Sequence, residues 1–179
     1  MSRTRLATII EIAIMIALSA VLSTIPLFKM PQGGTVTPGS MVPILLVGLR
    51  HGPKWGVVAG VATGILNFVI SPFSVHPVQV LLDYPVAFGV LGLSGLAMGR
   101  SVVTSSVLGS LALFGRFVAH LIAGVVFFAE YAGDQNVWVY SAIYNGSYML
   151  PELVISAVLL AVLLPALKAA LPAAGVARG

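Results

Sequence analysis

Arg116, His120, Glu130, Asp134, Tyr140, Asn145, Tyr148 and Glu152 fall within one stretch, Gly115 to Glu152, of a chain that is otherwise almost pure hydrocarbon. Only Glu11 and Asp83 add acidic groups outside that stretch. An ionisable side chain at membrane depth costs about 2.5–3.5 kcal/mol on insertion scales, so such residues mark function more often than decoration. Arg116 and His120 are one helical turn apart, a spacing suited to a polar pocket inside a bundle.

Asp83 lies in Gln79-Val80-Leu81-Leu82-Asp83-Tyr84-Pro85. A buried carboxylate needs a cation or several donors, because desolvation otherwise neutralises it. Two partners are open: Arg116, in an internal ion pair, or a cationic ligand held beside Tyr84. Arg116, His120, Gly124 and Phe128 follow at intervals of four and share one slowly drifting helical face. Gly124 makes space, His120 offers a flat ring with a donor and an acceptor, and Phe128 offers a stacking surface. Opposite Asp83 they suit a flat heteroaromatic ligand, with plain helix packing as the alternative. Asn145, Tyr148 and Glu152 put a polar face on a later segment, where the Asn145 amide can read an aminopyrimidine or amide edge or simply join two helices. Tyr140 lies nearer the outer surface, and Tyr131 and Trp138 suit an interfacial aromatic belt.

The elements that must position these groups are membrane spans. The chain has 179 residues, 59% hydrophobic and 8% charged, with mean hydropathy +1.07. Soluble domains carry about 25% charged residues, so this is the composition of an integral membrane protein. The expected fold is all-α, a single domain over 1–179 with six transmembrane helices at about 6–28, 38–50, 54–71, 78–99, 102–129 and 137–171. The second is marginal: Pro38-Gly39 and Pro43 leave a core shorter than the ~20 residues of a full crossing. The first, after Arg3 and Arg5, is too long for a signal-peptide core and is read as retained.

The basic residues test the count. With the N-terminus inside, Arg3, Arg5, Arg50, Lys54, Arg100, Lys168 and Arg178 fall on the cytoplasmic side, leaving Lys29 outside and Arg116 within a span. That is the positive-inside pattern, and it predicts both termini cytoplasmic. The net charge of +4 is thus a matter of topology and lipid contact, with no nucleic acid implied. The Gly- and Pro-containing outer loop Lys29–Thr37 suits a mobile lid. No internal repeat is visible, against a carrier of inverted halves.

Several chemistries are excluded. There are no cysteines, no G-x-x-x-x-G-K-[ST] loop, no H-E-x-x-H and no G-x-S-x-G elbow. His51, His76 and His120 are too far apart in sequence to suggest a metal cluster. The expectation is therefore no enzyme, no cofactor and no metal, and uphill transport would draw on an ion gradient or a partner chain. Gly52, Gly56, Gly60 and Gly64 form a stripe for close helix packing. Ala13 and Ala17 form a shorter one, for packing within the bundle or for docking a partner's helix.

Leu82-Asp83-Tyr84-Pro85-Val86-Ala87-Phe88, Gly115-Arg116-Phe117-Val118-Ala119-His120, Gly124 to Tyr131 and Tyr140 to Glu152 together carry a resemblance. Collinear across most of the chain, they resemble the thiamine-specific substrate-binding (S) component of energy-coupling factor transporters. The resemblance implies a six-helix protein of the cell membrane, the plasma membrane of a prokaryote, that captures thiamine outside, docks a transmembrane coupling protein with two ATPases, and topples to release its substrate. It implies that Asp83 faces the thiazolium cation with Tyr84 beside it, and that His120 and Phe128 sandwich the aminopyrimidine. Phe128 stands where some members have Trp. Tyr140 and Asn145 would hydrogen-bond the ligand, Arg116 would lie near its hydroxyethyl or phosphate end, and Ala13 and Ala17 would dock the coupling protein. The family's aromatic contact in the first outer loop has no counterpart between Lys29 and Thr37. The rivals are an S component for another vitamin or precursor, and a structural membrane protein with an Asp83–Arg116 ion pair.

Overall fold

A computed structural model describes residues 3–170. Six helices follow one another: α1 (Arg3–Ser23), α2 (Val42–His51), α3 (Pro53–Ile70), α4 (Pro77–Ala97), α5 (Val102–Phe127) and α6 (Val137–Ala170). Five are long and apolar enough to cross a membrane. Their outward faces carry Ile14, Val69, Val103, Leu111, Ile143 and Val158, each at least half exposed. In water such a surface would aggregate; in lipid it is the correct exterior. The protein is a multi-pass membrane protein.

The second segment departs from a full span. It is a helix of 10 residues, about 15 Å long at 1.5 Å per residue, against a hydrocarbon core of about 30 Å. Its burial explains why it need not be longer. Ile44 and Leu45 are fully enclosed and share the core with Leu91, Leu113 and Leu160, so α2 is packed by protein on all sides. Gly52, at φ +87°, ends it in a conformation that L side chains rarely adopt, and Pro53 opens α3 at once.

The glycine stripe packs α3 against α4. A carbon added at Gly56 would sit 2.6 Å from the Gly92 carbonyl oxygen, and one at Gly60 would sit 2.7 Å from the Phe88 carbonyl carbon. The backbones therefore touch directly, as small-residue seams allow.

Long α4 is not uniform. It is α-helical over Pro77–Leu81, a π turn over Leu82–Val86, α-helical again over Ala87–Leu91 and a 3-10 helix over Gly92–Ala97. Pro85 lies inside the π turn, and the Ala87 N–H reaches back five residues to the Leu82 carbonyl.

The first outer loop, expected to be a mobile lid, contains a small antiparallel hairpin. Strands β1 (Phe28–Lys29) and β2 (Thr35–Val36) pair Phe28 with Val36 and Lys29 with Thr35. Its tip rests on α6, where the Gln32 N–H donates to the Tyr144 hydroxyl at 2.8 Å and Gly34 lies flat against the Tyr148 ring. Where the sequence suggested mobility, hydrogen bonds and close packing tie the loop down.

A candidate ligand-binding cavity

The hairpin, the loop after α3 and the outer parts of α3, α4, α5 and α6 enclose a cavity of about 560 Å³. All nine residues singled out for ligand binding line it: Asp83, Tyr84, Arg116, His120, Gly124, Phe128, Tyr140, Asn145 and Tyr148. Ala13 and Ala17 do not; they lie exposed on the outer face of α1.

Asp83 is the hub of the polar wall. Its Oδ2 accepts from Gln79 Nε2 at 2.6 Å, and its Oδ1 lies 2.8 Å from His120 Nδ1. Arg116 Nε donates to the other ring nitrogen, His120 Nε2, at 3.3 Å. A guanidinium has no acceptor, so Nε2 must accept and Nδ1 must carry the proton. His120 is thereby a neutral ring with a defined tautomer, donating to Asp83. The Asp83–Arg116 ion pair considered from the sequence does not form; His120 stands between the two. Arg116 instead places its guanidinium 3.9 Å from the centre of the Phe88 ring, a cation–π contact. Its Nη1 is buried without a protein partner.

The α6 wall is held by its own network. Asn145 Nδ2 donates to the Ser141 carbonyl at 2.9 Å, and its Oδ1 accepts from the Tyr148 hydroxyl at 2.7 Å. That oxygen keeps a second lone pair for a ligand. Gly124 lines the cavity and also makes space for a neighbouring helix. A carbon there would meet Asn145 Nδ2 at 3.0 Å and collide with Ser141 Oγ. Its missing side chain gives room to α6 first, and Ser141 locks the approach by donating to the Leu121 carbonyl at 2.8 Å.

Aromatic rings form the upper part. Phe128, just past the end of α5, stacks on Phe73 with centroids 6.0 Å apart and planes at 16°. Tyr140 stacks on Tyr144 at 6.1 Å, and the Tyr148 ring meets His120 edge-on at 6.0 Å. Tyr84 also has a structural bond: its hydroxyl accepts from the Phe73 N–H at 3.2 Å and lies 3.3 Å from the Ser71 carbonyl. Its ring lines the cavity while its polar tip ties down the second outer loop. Tyr131 and Trp138 are at least half exposed, as an aromatic belt requires.

Four contributors escaped the sequence reading as site residues. Gln79, fully buried, aims Asp83 and also accepts from the Val75 N–H at 3.2 Å; its spacing of four from Asp83 was the available signal. Glu152 was visible on the polar face of its segment, but its partner was not. Its Oε1 accepts from both the backbone N–H and the hydroxyl of Thr37, whose Oγ1 lies 2.7 Å away, while Oε2 has no protein partner. Phe88 and Phe73 carried no signal, since phenylalanine in an apolar chain is unremarkable.

This fold and this cavity define a membrane protein whose helices surround a polar-lined cavity of small-molecule size near one face of the bundle. The chain belongs to the thiamine transporter protein family, which it matches over residues 9–171. It is 40% identical to the thiamine transporter ThiT of Bacillus subtilis over 172 residues, 86% of this chain and 88% of that protein. It is 32% identical to ThiT of Lacticaseibacillus paracasei over 172 residues, covering 85% and 84% of the two chains. Its fold superimposes on a solved structure of ThiT from Listeria monocytogenes with a TM-score of 0.75 at 25% identity, over 90% of this chain and 95% of that one.

Proposed function

We propose that this protein is the membrane-embedded thiamine-binding subunit of an energy-coupling factor uptake system. The observation that carries the reading is the Asp83 carboxylate, set inside the cavity among aromatic rings with only neutral groups, His120 and Gln79, as its hydrogen-bond partners. A carboxylate so placed lacks a counter-ion at contact distance, and a thiazolium supplies one. The flat aminopyrimidine suits the rings of His120 and Phe128, and its donor–acceptor edge suits Asn145 Oδ1 and Tyr140. Arg116 Nη1 and Glu152 Oε2 remain for the hydroxyethyl end.

The sequence holds no nucleotide-binding loop, and of the two energy sources that leaves, an ion gradient or a partner chain, the family resemblance favours the partner. The proposed partner is a transmembrane coupling protein carrying two ATPases, docked on the Ala13 and Ala17 face of α1, with both termini on the cytoplasmic side. The exposure of that face and the distribution of basic residues support this assignment.

Titration of the purified protein tests the reading. Thiamine should quench tyrosine and tryptophan fluorescence saturably, with no such response to a neutral or anionic vitamin. Saturation by a different vitamin would reassign the substrate. No saturable response to any would return the cavity to a structural role.

A further inference from the structure

Asp83 and Phe88 are five residues apart, and on a regular α-helix that spacing sets side chains about 140° apart. Yet both line the cavity and both address α5: Asp83 meets His120, and Phe88 carries the guanidinium of Arg116, one turn away on the same helix. The π turn reconciles the two. Its wider winding inserts one residue between them and swings Asp83 round to the face that Phe88 already occupies. Pro85 lies inside that turn, where it has no N–H to give an α-helical bond and its ring would strike the Leu81 carbonyl.

The turn is also seated from outside α4. Gly56, Gly60 and Gly64 on α3 oppose Gly92, Phe88 and Tyr84 on α4, so each step of four on one helix meets a step of four running back along the other. Gly64 is the rung beneath the π turn. A carbon on Gly64 would lie 2.6 Å from the Tyr84 carbonyl carbon, 3.0 Å from Pro85 N, and against the Tyr84 oxygen itself. Backbone atoms cannot swing aside as a side-chain tip can, so the displacement would pass to the Tyr84–Pro85 peptide, one residue beyond Asp83. Gly56 makes an equally close contact, but with Gly92, far down the helix from the carboxylate.

We propose that the π turn, enforced by Pro85 and seated on Gly64, is the device that brings the Asp83 carboxylate round to the ligand cation. Gly64 and Pro85 are positioning residues for charge recognition, although neither supplies a group to the ligand. This rests on thiamine as the substrate, and the test separates the two claims.

The full chain in detergent is titrated with thiamine and with a neutral isostere in which carbon replaces the thiazolium nitrogen. The readout is the ratio of the two affinities, which a general loss of packing leaves unchanged. Gly64→Ala and Pro85→Ala should each lower that ratio at least tenfold, mostly through weaker thiamine binding. Gly56→Ala should keep the wild-type ratio even where it lowers thermal stability. In an Asp83→Asn background, Gly64→Ala should add little, because the group it positions is already neutral. Should Gly64→Ala fail to fold, Pro85→Ala decides alone. Wild-type ratios in the folded variants, or an equal fall in Gly56→Ala, would overturn the inference. A wild-type protein that did not saturate with thiamine would overturn the function, and the inference with it.

Discussion

Asp83 shows how one carboxylate is kept at membrane depth without a full ionic partner. Gln79 and His120 each donate to a different oxygen, so both oxygens are engaged by neutral groups and the carboxylate charge remains for a ligand. Asp83→Asn should therefore weaken thiamine binding by roughly 2–3 kcal/mol, the scale for losing a charge-assisted contact in a desolvated site. Calorimetry on the folded variant checks it, and near-wild-type affinity would assign Asp83 to structure alone. His120 is tied to both neighbours, donating to Asp83 and accepting from Arg116. His120→Ala should reduce affinity at least tenfold, since it removes the ring proposed to stack on the ligand and frees two charged groups at once. Asn145→Ala should have an effect of the same order for a different reason: it removes the oxygen proposed to read the ligand edge and leaves the Tyr148 hydroxyl without its acceptor. If both variants bound as tightly as the parent, the ligand would have to lie elsewhere in the cavity. Much of this was legible in the sequence, because a polar residue in a chain with 8% charge is conspicuous by type alone. What stayed hidden was pairing. Nothing in the sequence places Thr37 on Glu152, 115 residues away, or sets His120 between Asp83 and Arg116.

At the scale of elements, the long spans were legible because bilayer thickness fixes the length of an apolar run. The short α2 was partly so, through Pro38, Gly39 and Pro43. The hairpin was not, since strands of two residues are too short to show alternation. Nor was the π turn, for Pro85 announced an irregularity without its kind. The hairpin has consequences for kinetics, being fastened over the cavity by the Gln32 N–H on Tyr144 and, at its base, by Thr37 on Glu152. Tyr144→Phe deletes the acceptor at the tip but keeps the ring. One hydrogen bond contributes about 1 kcal/mol net, so thiamine release should accelerate roughly fivefold. Stopped-flow displacement measures this directly. An unchanged rate would show that the tip contact does not gate the cavity.

The whole molecule divides its surface between two tasks. The polar groups gather beneath the hairpin, whereas the outer face of α1 offers lipid only aliphatic side chains around the small gap at Ala13 and Ala17. The inner face of the same helix is firmly attached: Ser19 Oγ donates to the Ser40 carbonyl at 2.6 Å, and Ser23 Oγ to Asn67 Oδ1 at 2.6 Å. Glu11 adds an anchor at the other end, 2.7 Å from Arg50 and 3.3 Å from His51. These contacts hold α1 on the bundle without help from Ala13 or Ala17, so the two alanines are free to meet another helix. A double change to Trp places two bulky rings on that face, where close approach depends on small residues. It touches no cavity wall and no anchor of α1. Thiamine binding by the purified variant should therefore match the parent, while uptake by cells carrying it should collapse because the proposed ATP-driven partner could not dock. Fluorescence titration beside radiolabelled uptake makes the comparison. Normal uptake would remove this face from the proposed interface. Loss of binding as well would mean that the alanine gap holds the bundle together, against the exposure that both residues show.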